Sequence, residues 1–145
     1  MIGVLLWLRR HFTLVRVVGE SMMPSFRHGE ELLVHRTPPH RIRTGDVVVF
    51  HSAISLPTQE TAAFGDQHIV VPVWLLKRVV ALPGDDIPPL KVKLEESVVP
   101  AGSVIVFGDN AEVSSDSRQF GFYPLYEIHG RVMCRFRAKR SGVSS

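Results

Sequence analysis

A chain of 145 residues with a formal net charge of +3 fits one domain with a buried core, and its 45% apolar content excludes a wholly disordered chain. Cys134 is the only cysteine, which excludes an intrachain disulfide and leaves the redox compartment open. The seven histidines are scattered, with no H-E-x-x-H and no cysteine pair, so no metal site and no cofactor are expected.

In chain order, Ile2 to Leu8 is an apolar run ended by Arg9, Arg10 and His11. It is shorter than the roughly 20 apolar residues that cross a bilayer. Its basic residues follow the apolar stretch, the reverse of a cleavable signal peptide. As a helix it sets Leu5, Leu8, Phe12 and Val15 near one face, with Trp7 suited to an interface. The expectation for residues 1–13 is a short helix on a membrane surface. The alternatives are a piece of core and the remainder of a longer anchor.

From residue 14 the pattern turns to β. Candidate strands are Leu14–Val18, Glu31–His35, Asp46–Phe50, Trp74–Leu82, Lys91–Leu94, Ser103–Phe107 and Ile128–Phe136. Between them stand turn signals such as His28-Gly29-Glu30, Thr44-Gly45-Asp46, Pro83-Gly84-Asp85 and Gly108-Asp109-Asn110. Residues 52–67 read as a surface loop, and Pro124 to Glu127 as one short helical turn. The fold class is therefore all-β, folded antiparallel sheets or a small barrel-like core over residues 14–138 with a short N-terminal helix. Cys134 is expected in the core. Arg131, Arg135, Arg137, Lys139 and Arg140 come with no acid among them and lead into a basic tail, 139–145. They read as a solvated strand and tail, or as an attraction to anionic lipid or nucleic acid.

Three segments carry chemistry. Ser21 lies in Gly19-Glu20-Ser21-Met22-Met23-Pro24, where Gly19 permits a close turn and Pro24 stiffens the exit. Such a segment can aim a hydroxyl and backbone N–H groups at a carbonyl. Met23 stands where the second glycine of G-x-S-x-G belongs, so an α/β-hydrolase elbow is not supported. Lys77 lies in Trp74-Leu75-Leu76-Lys77-Arg78-Val79-Val80-Ala81-Leu82. In a strand it shares a face with Leu75, Val79 and Ala81. Burial there lowers an amine pKa and lets lysine act as a base; the alternative is an edge lysine reaching to water. The third segment, Gly108 to Gly121, is too polar for a strand. Asp116 and Arg118 can pair in it, and Ser114 can hold the lysine amine. A surface turn braced by serine and aspartate caps is the alternative.

Taken together these segments resemble the type I signal peptidases, the S26 serine–lysine peptidases, over nearly the whole chain after residue 14. Gly19 to Ser25 is similar to the family's nucleophile box, and Gly45-Asp46-Val47-Val48-Val49-Phe50 to its next strand box. Lys77-Arg78-Val79-Val80-Ala81-Leu82-Pro83-Gly84-Asp85 resembles the general-base box. Gly108-Asp109-Asn110 with Ser114, Asp116, Ser117 and Arg118 resembles the last box.

The resemblance implies an endopeptidase in which Ser21 attacks the scissile carbonyl and Lys77 takes its proton. Ser114 orients the amine, Asp116 and Arg118 brace the site, and Gly19 and Met22 flank the nucleophile. It implies precursor substrates bound as extended strands and cut after small residues. It also implies an acyl-enzyme and a place at the bacterial cell membrane, with a cytoplasmic location as the alternative. Family members that add a hydroxyl donor two positions before the nucleophile have it where this chain has Gly19. The short stretch from Asp85 to Ser103 leaves no room for the large extra β-domain of some members. General secretion and one dedicated precursor both remain open, as does the oligomeric state. A self-cleaving, DNA-binding relative of the LexA type would need a helix-turn-helix domain before Ser21, and too few residues precede it. No nucleic-acid partner is expected.

Overall fold

The structure, a computed structural model, describes residues 1–57 and 68–137. Helix α1 (Ile2–His11) leads directly into strand β1 (Phe12–Arg16). Strands β2 (Glu31–His35), β3 (Val47–Pro57), β4 (His68–Ala81) and β5 (Ser103–Phe107) follow. A short helix α2 (Ser117–Phe120), strand β6 (Tyr123–Pro124) and strand β7 (Ile128–Arg137) complete the described fold. The strands form one sheet in the order β1-β2-β7-β3-β4-β5-β6, antiparallel at every pairing. This is the all-β class expected from the sequence.

Strand β3 explains where the core sits. Val47 and Val49 face one apolar cluster with Val15, Val17, Met22, Leu32, Val34 and Leu76. Val48 and Phe50 face another with Ile42, Val79, Val104, Val106 and Ile128. A strand covered on both faces reads as a continuous apolar run, as Val47-Val48-Val49-Phe50 does. Each such side chain contributes roughly 1.5–3 kcal/mol by leaving water. Lys77 lies opposite Val48 in the β3–β4 register and shares its face with Leu75 and Val79. The alternation ends at the irregularity between Val79 and Ala81. Beyond it Ala81 and Val80 join a third cluster, whereas Leu82 turns back to the face of Val79.

Several expectations are corrected. Lys91–Leu94 is not a strand: Pro88 and Pro89 offer no N–H, and the Lys91 and Val92 amides both donate to the Arg118 carbonyl, 2.9 and 3.1 Å away. Residues 52–57 are not loop; β3 and β4 continue as a hairpin out to the Pro57–His68 pair. Residues 58–67 of the expected loop and the 139–145 tail lie outside the described residues. Phe12 and Val15 do not extend the helix face, because the chain turns extended at Phe12. No side chain of α1 is buried, which removes the core alternative for it. Cys134 is exposed, because β7 runs out of the core toward its end. No helix of the described residues is long and apolar enough to cross a membrane.

Candidate active site

Ser21 and Lys77 line one open cleft of about 430 Å³, together with Val18, Gly19, Glu20, Leu75, Val113 and Ser115. The Ser21 segment reaches it by continuing past β1. Val17 donates to the Glu30 carbonyl at 2.8 Å, and Gly19 then takes φ +85°. L-side chains rarely adopt that conformation, and glycine adopts it without strain. The Gly19 amide donates to His28 Nδ1 at 3.0 Å. Met22, expected beside the nucleophile, does not line the cleft. It is 1% exposed and anchors the segment in the core under β1 and β2.

Lys77 enters from β4 and is 4% exposed. Its Nζ donates to Ser114 Oγ at 2.9 Å. Burial pushes its pKa below the ordinary lysine value; the Asp116 carboxylate pulls it back up and the Arg118 guanidinium pushes it further down. An amine so placed gives up its proton more readily than one in water. Ser114 is itself buried, and its backbone N–H donates to the Asn110 carbonyl at 3.0 Å.

Behind the lysine, Asp116 is fully buried, and both of its carboxylate oxygens accept hydrogen bonds. Its carboxylate accepts from Arg118 Nη1 and from the Gly108 amide, both at 2.8 Å, and from the Arg118 amide at 3.0 Å. Asp116 also N-caps α2, where Gln119 returns a side-chain acceptor to the Asp116 amide. The expected Asp116–Arg118 pair is thus present, and Ser114, Asp116 and Arg118 gather around one amine.

Five further residues, Ser25, Arg78, Gly108, Asp109 and Asn110, are legible in the sequence only as turn punctuation or as members of a box. Asn110 clamps the Ser21 segment: its amide donates to the Ser21 carbonyl at 2.9 Å and its Nδ2 to the Glu20 carbonyl at 3.1 Å. Asp109 takes two parallel bonds from Arg78, at 2.9 and 2.8 Å, and a third from Ser25 Oγ at 2.5 Å. Arg78, the neighbour of Lys77, is thereby tied to Ser25, four residues beyond Ser21. Gly108 lies where a Cβ would come within 2.1 Å of Ser114 Oγ and 2.7 Å of the Ser21 carbonyl. The signal was Gly108-Asp109-Asn110 directly after an apolar strand, which composition alone reads as a turn.

Compared with known proteins, residues 1–94 and 88–137 match the family model described as signal peptidase, peptidase S26. The chain is similar to signal peptidase I of Leptolyngbya laminosa, 32% identical over 83% of this chain and 66% of that protein. It is similar to probable signal peptidase I-1 of Synechocystis, 30% identical over 83% of this chain and 68% of that protein. Mitochondrial inner membrane protease subunit 1 of Xenopus tropicalis is 32% identical over 81% of this chain and 64% of its own length. The chain thus spans about two thirds of the length of these curated relatives. The chain belongs to the S26 signal peptidase family.

Proposed function

We propose that the chain is a serine endopeptidase that cleaves signal peptides or a dedicated pro-peptide from precursor proteins, with Ser21 as nucleophile and Lys77 as general base. The observation that carries this reading is one cleft holding a serine and a buried amine whose charge is disfavoured. Ser21 Oγ attacks the scissile carbonyl while its proton passes to Lys77 Nζ. The tetrahedral intermediate collapses, the C–N bond breaks, and the Lys77 ammonium returns the proton to the leaving amine. An acyl-enzyme remains on Ser21. Water then attacks it, Lys77 takes the water's proton, and the Ser21 hydroxyl is restored with release of the acid. The Ser21 backbone N–H is one oxyanion donor, and with Gly19 in place of a hydroxyl residue the second comes from backbone or water.

Sheet geometry supports a strand-like substrate. Among the described residues, strand β4 pairs with β3 from His68 to Arg78, and β5 covers its other edge only at Arg78–Ala81. The open edge ahead of Lys77 is available for an added strand, the mode in which main-chain bonds supply affinity and pockets supply choice of side chain. The cleft is open and bordered by Val18, Leu75 and Val113, which suits a small apolar side chain before the cut. Helix α1, with exposed Leu5, Leu6 and Trp7, suits work at a membrane surface.

The test is turnover of a peptide with alanine before the cut. Ser21→Ala, Lys77→Ala and Lys77→Arg are each expected to lose at least about 10³-fold in kcat while staying folded. Arginine keeps its proton at working pH and cannot serve as base. Turnover within about tenfold of the native chain in any folded variant of this set would refute the assignment.

A further inference from the structure

A second cleft, of about 610 Å³, opens at the His35 end of the β2–β7 pair and is lined by His35, Thr37, His40, Arg41, Arg43 and Arg131. Three guanidinium groups and two imidazoles line it, and among the described residues no carboxylate does. The ion pairs of the described residues engage Arg16, Arg78, Arg118 and Arg135, and none of these three arginines. The nearby Asp46 carboxylate is occupied by the Arg43 backbone N–H at 2.9 Å. Arg131 Nε is buried with no hydrogen-bond partner. A buried guanidinium N–H without an acceptor is costly, and like charges gathered without a counter-ion repel. An anion in the cleft relieves the repulsion and gives the guanidinium groups acceptors.

The walls are built rather than accidental. Thr37 is 5% exposed, and its hydroxyl donates to the His35 carbonyl at 2.9 Å while standing 3.1 Å from His35 Nδ1. Pro38 and Pro39 fix the backbone into the 3-10 turn Pro39–Arg41 that presents His40 and Arg41. Planar arginine forks match the tetrahedral oxygens of phosphate.

What lies beside the cleft selects the source of that phosphate. Arg36, next to His35, lines an adjoining cavity of about 580 Å³ with Gly3, Leu6, Trp7, Arg10 and His11 of helix α1. The His11 and His35 rings stack with centroids 6.5 Å apart. On that helix Ile2, Val4, Leu5, Leu6, Trp7 and Leu8 are all at least 42% exposed. An apolar helix abutting a cationic cleft matches a lipid, with acyl chains against the one and the headgroup in the other. We propose that this cleft receives the phosphate of an anionic phospholipid headgroup while helix α1 enters the acyl layer beside it. Lipid binding in this cleft does not depend on which side chains cut peptide bonds.

The experiment is partition of the full chain onto phosphatidylcholine vesicles with and without phosphatidylglycerol. The native chain is expected to prefer the anionic vesicles. Arg41→Gln/Arg43→Gln, at two exposed positions that leave the core intact, is expected to weaken that binding roughly thirtyfold. Lys91→Gln/Lys93→Gln removes the same charge from another exposed segment and is expected to weaken it by less than about threefold. Arg131→Lys keeps the charge but loses the fork, and about a tenfold loss is expected. Equal losses in the two double variants, an unchanged Arg131→Lys, or indifference to phosphatidylglycerol would each overturn the proposal. Calorimetric binding of inorganic phosphate tighter than vesicle partition would assign the cleft to a free anion and overturn the lipid source. Cleavage of a soluble peptide by Arg41→Gln/Arg43→Gln should stay within about twofold of the native chain, so failure here is distinguishable from failure of the peptidase assignment.

Discussion

Lys77 Nζ donates to Ser114 Oγ at 2.9 Å, and both residues are buried. A neutral lysine amine has two N–H groups and one lone pair on a flexible stem, so that lone pair points nowhere in particular until a fixed neighbour sets it. Ser114 is such a neighbour, because its backbone is tied to Asn110 and Asn110 is tied to Ser21.

Ser114→Ala therefore acts on geometry rather than on binding. The amine keeps its burial but loses the hydrogen bond that fixes its position. A misplacement of this kind costs on the order of 10²-fold in rate. We expect kcat to fall by about that factor with KM nearly unchanged. A rise in KM at constant kcat would place Ser114 in substrate binding instead.

The depressed pKa of Lys77 has two pH signatures. Its first cause is burial, which disfavours the ammonium in the folded state only. Below the folded pKa the amine is charged in both states and the full burial penalty opposes folding. As pH rises from the folded pKa toward the unfolded value, the unfolded chain holds more protons and the penalty is relieved. The stability of the native chain minus that of Lys77→Met should therefore increase with pH across this window. Turnover should climb through the same lower pKa as neutral amine appears. Denaturant unfolding and kcat/KM over the alkaline range check both; a flat difference together with a flat rate profile would sink the role of Lys77.

Gly108 tests how tightly the site is built. An added methyl group meets Ser114 Oγ at 2.1 Å and the Ser21 carbonyl at 2.7 Å, and the second of these is backbone. Overpacking of this kind costs typically 1–3 kcal/mol. Gly108→Ala is expected to lose about that much stability by thermal unfolding. It should also lose more than about tenfold in kcat, because relief requires Ser114 or the Ser21 segment to move.

The sheet was largely legible in the sequence because its central strands are continuous apolar runs bounded by glycine and proline. Val47 to Phe50 and Trp74 to Ala81 could hardly be anything else. Lys77 stood out for the same reason, as a cation in an apolar strand. Lys91–Leu94 looks like a strand by its apolar residues alone, but two prolines and the Arg118 carbonyl decide the backbone there. Met22 was adjacent to Ser21 in sequence but is turned into the core, a direction that the letters of an irregular segment do not reveal. The brace formed by Asp109, Arg78 and Ser25 joins residues 31 and 84 positions apart. No local pattern encodes such a contact; only the pairing of β4 with β5 brings the end of one strand beside the start of the next loop.

That brace supplies the remaining prediction. Asp109 accepts two bonds from Arg78 and one from Ser25, and its pKa is held below the ordinary carboxylate value chiefly by the Arg78 hydrogen bond. A lowered carboxyl pKa contributes stability that is complete above the unfolded pKa and is lost as pH falls through the folded one. Asp109→Asn keeps the shape but removes the charge. Charge-assisted bonds are worth roughly 1.5–3 kcal/mol when buried, and this partly open site should show about 1–2 kcal/mol. The variant should unfold earlier in denaturant at neutral pH, and the gap from the native chain should close as the solution is acidified. Because Arg78 adjoins Lys77 and Ser25 lies four residues past Ser21, kcat should fall too, in step with the loosened segment. If Asp109→Asn matches the native chain in both stability and turnover at neutral pH, the brace does not hold the two halves of the site together.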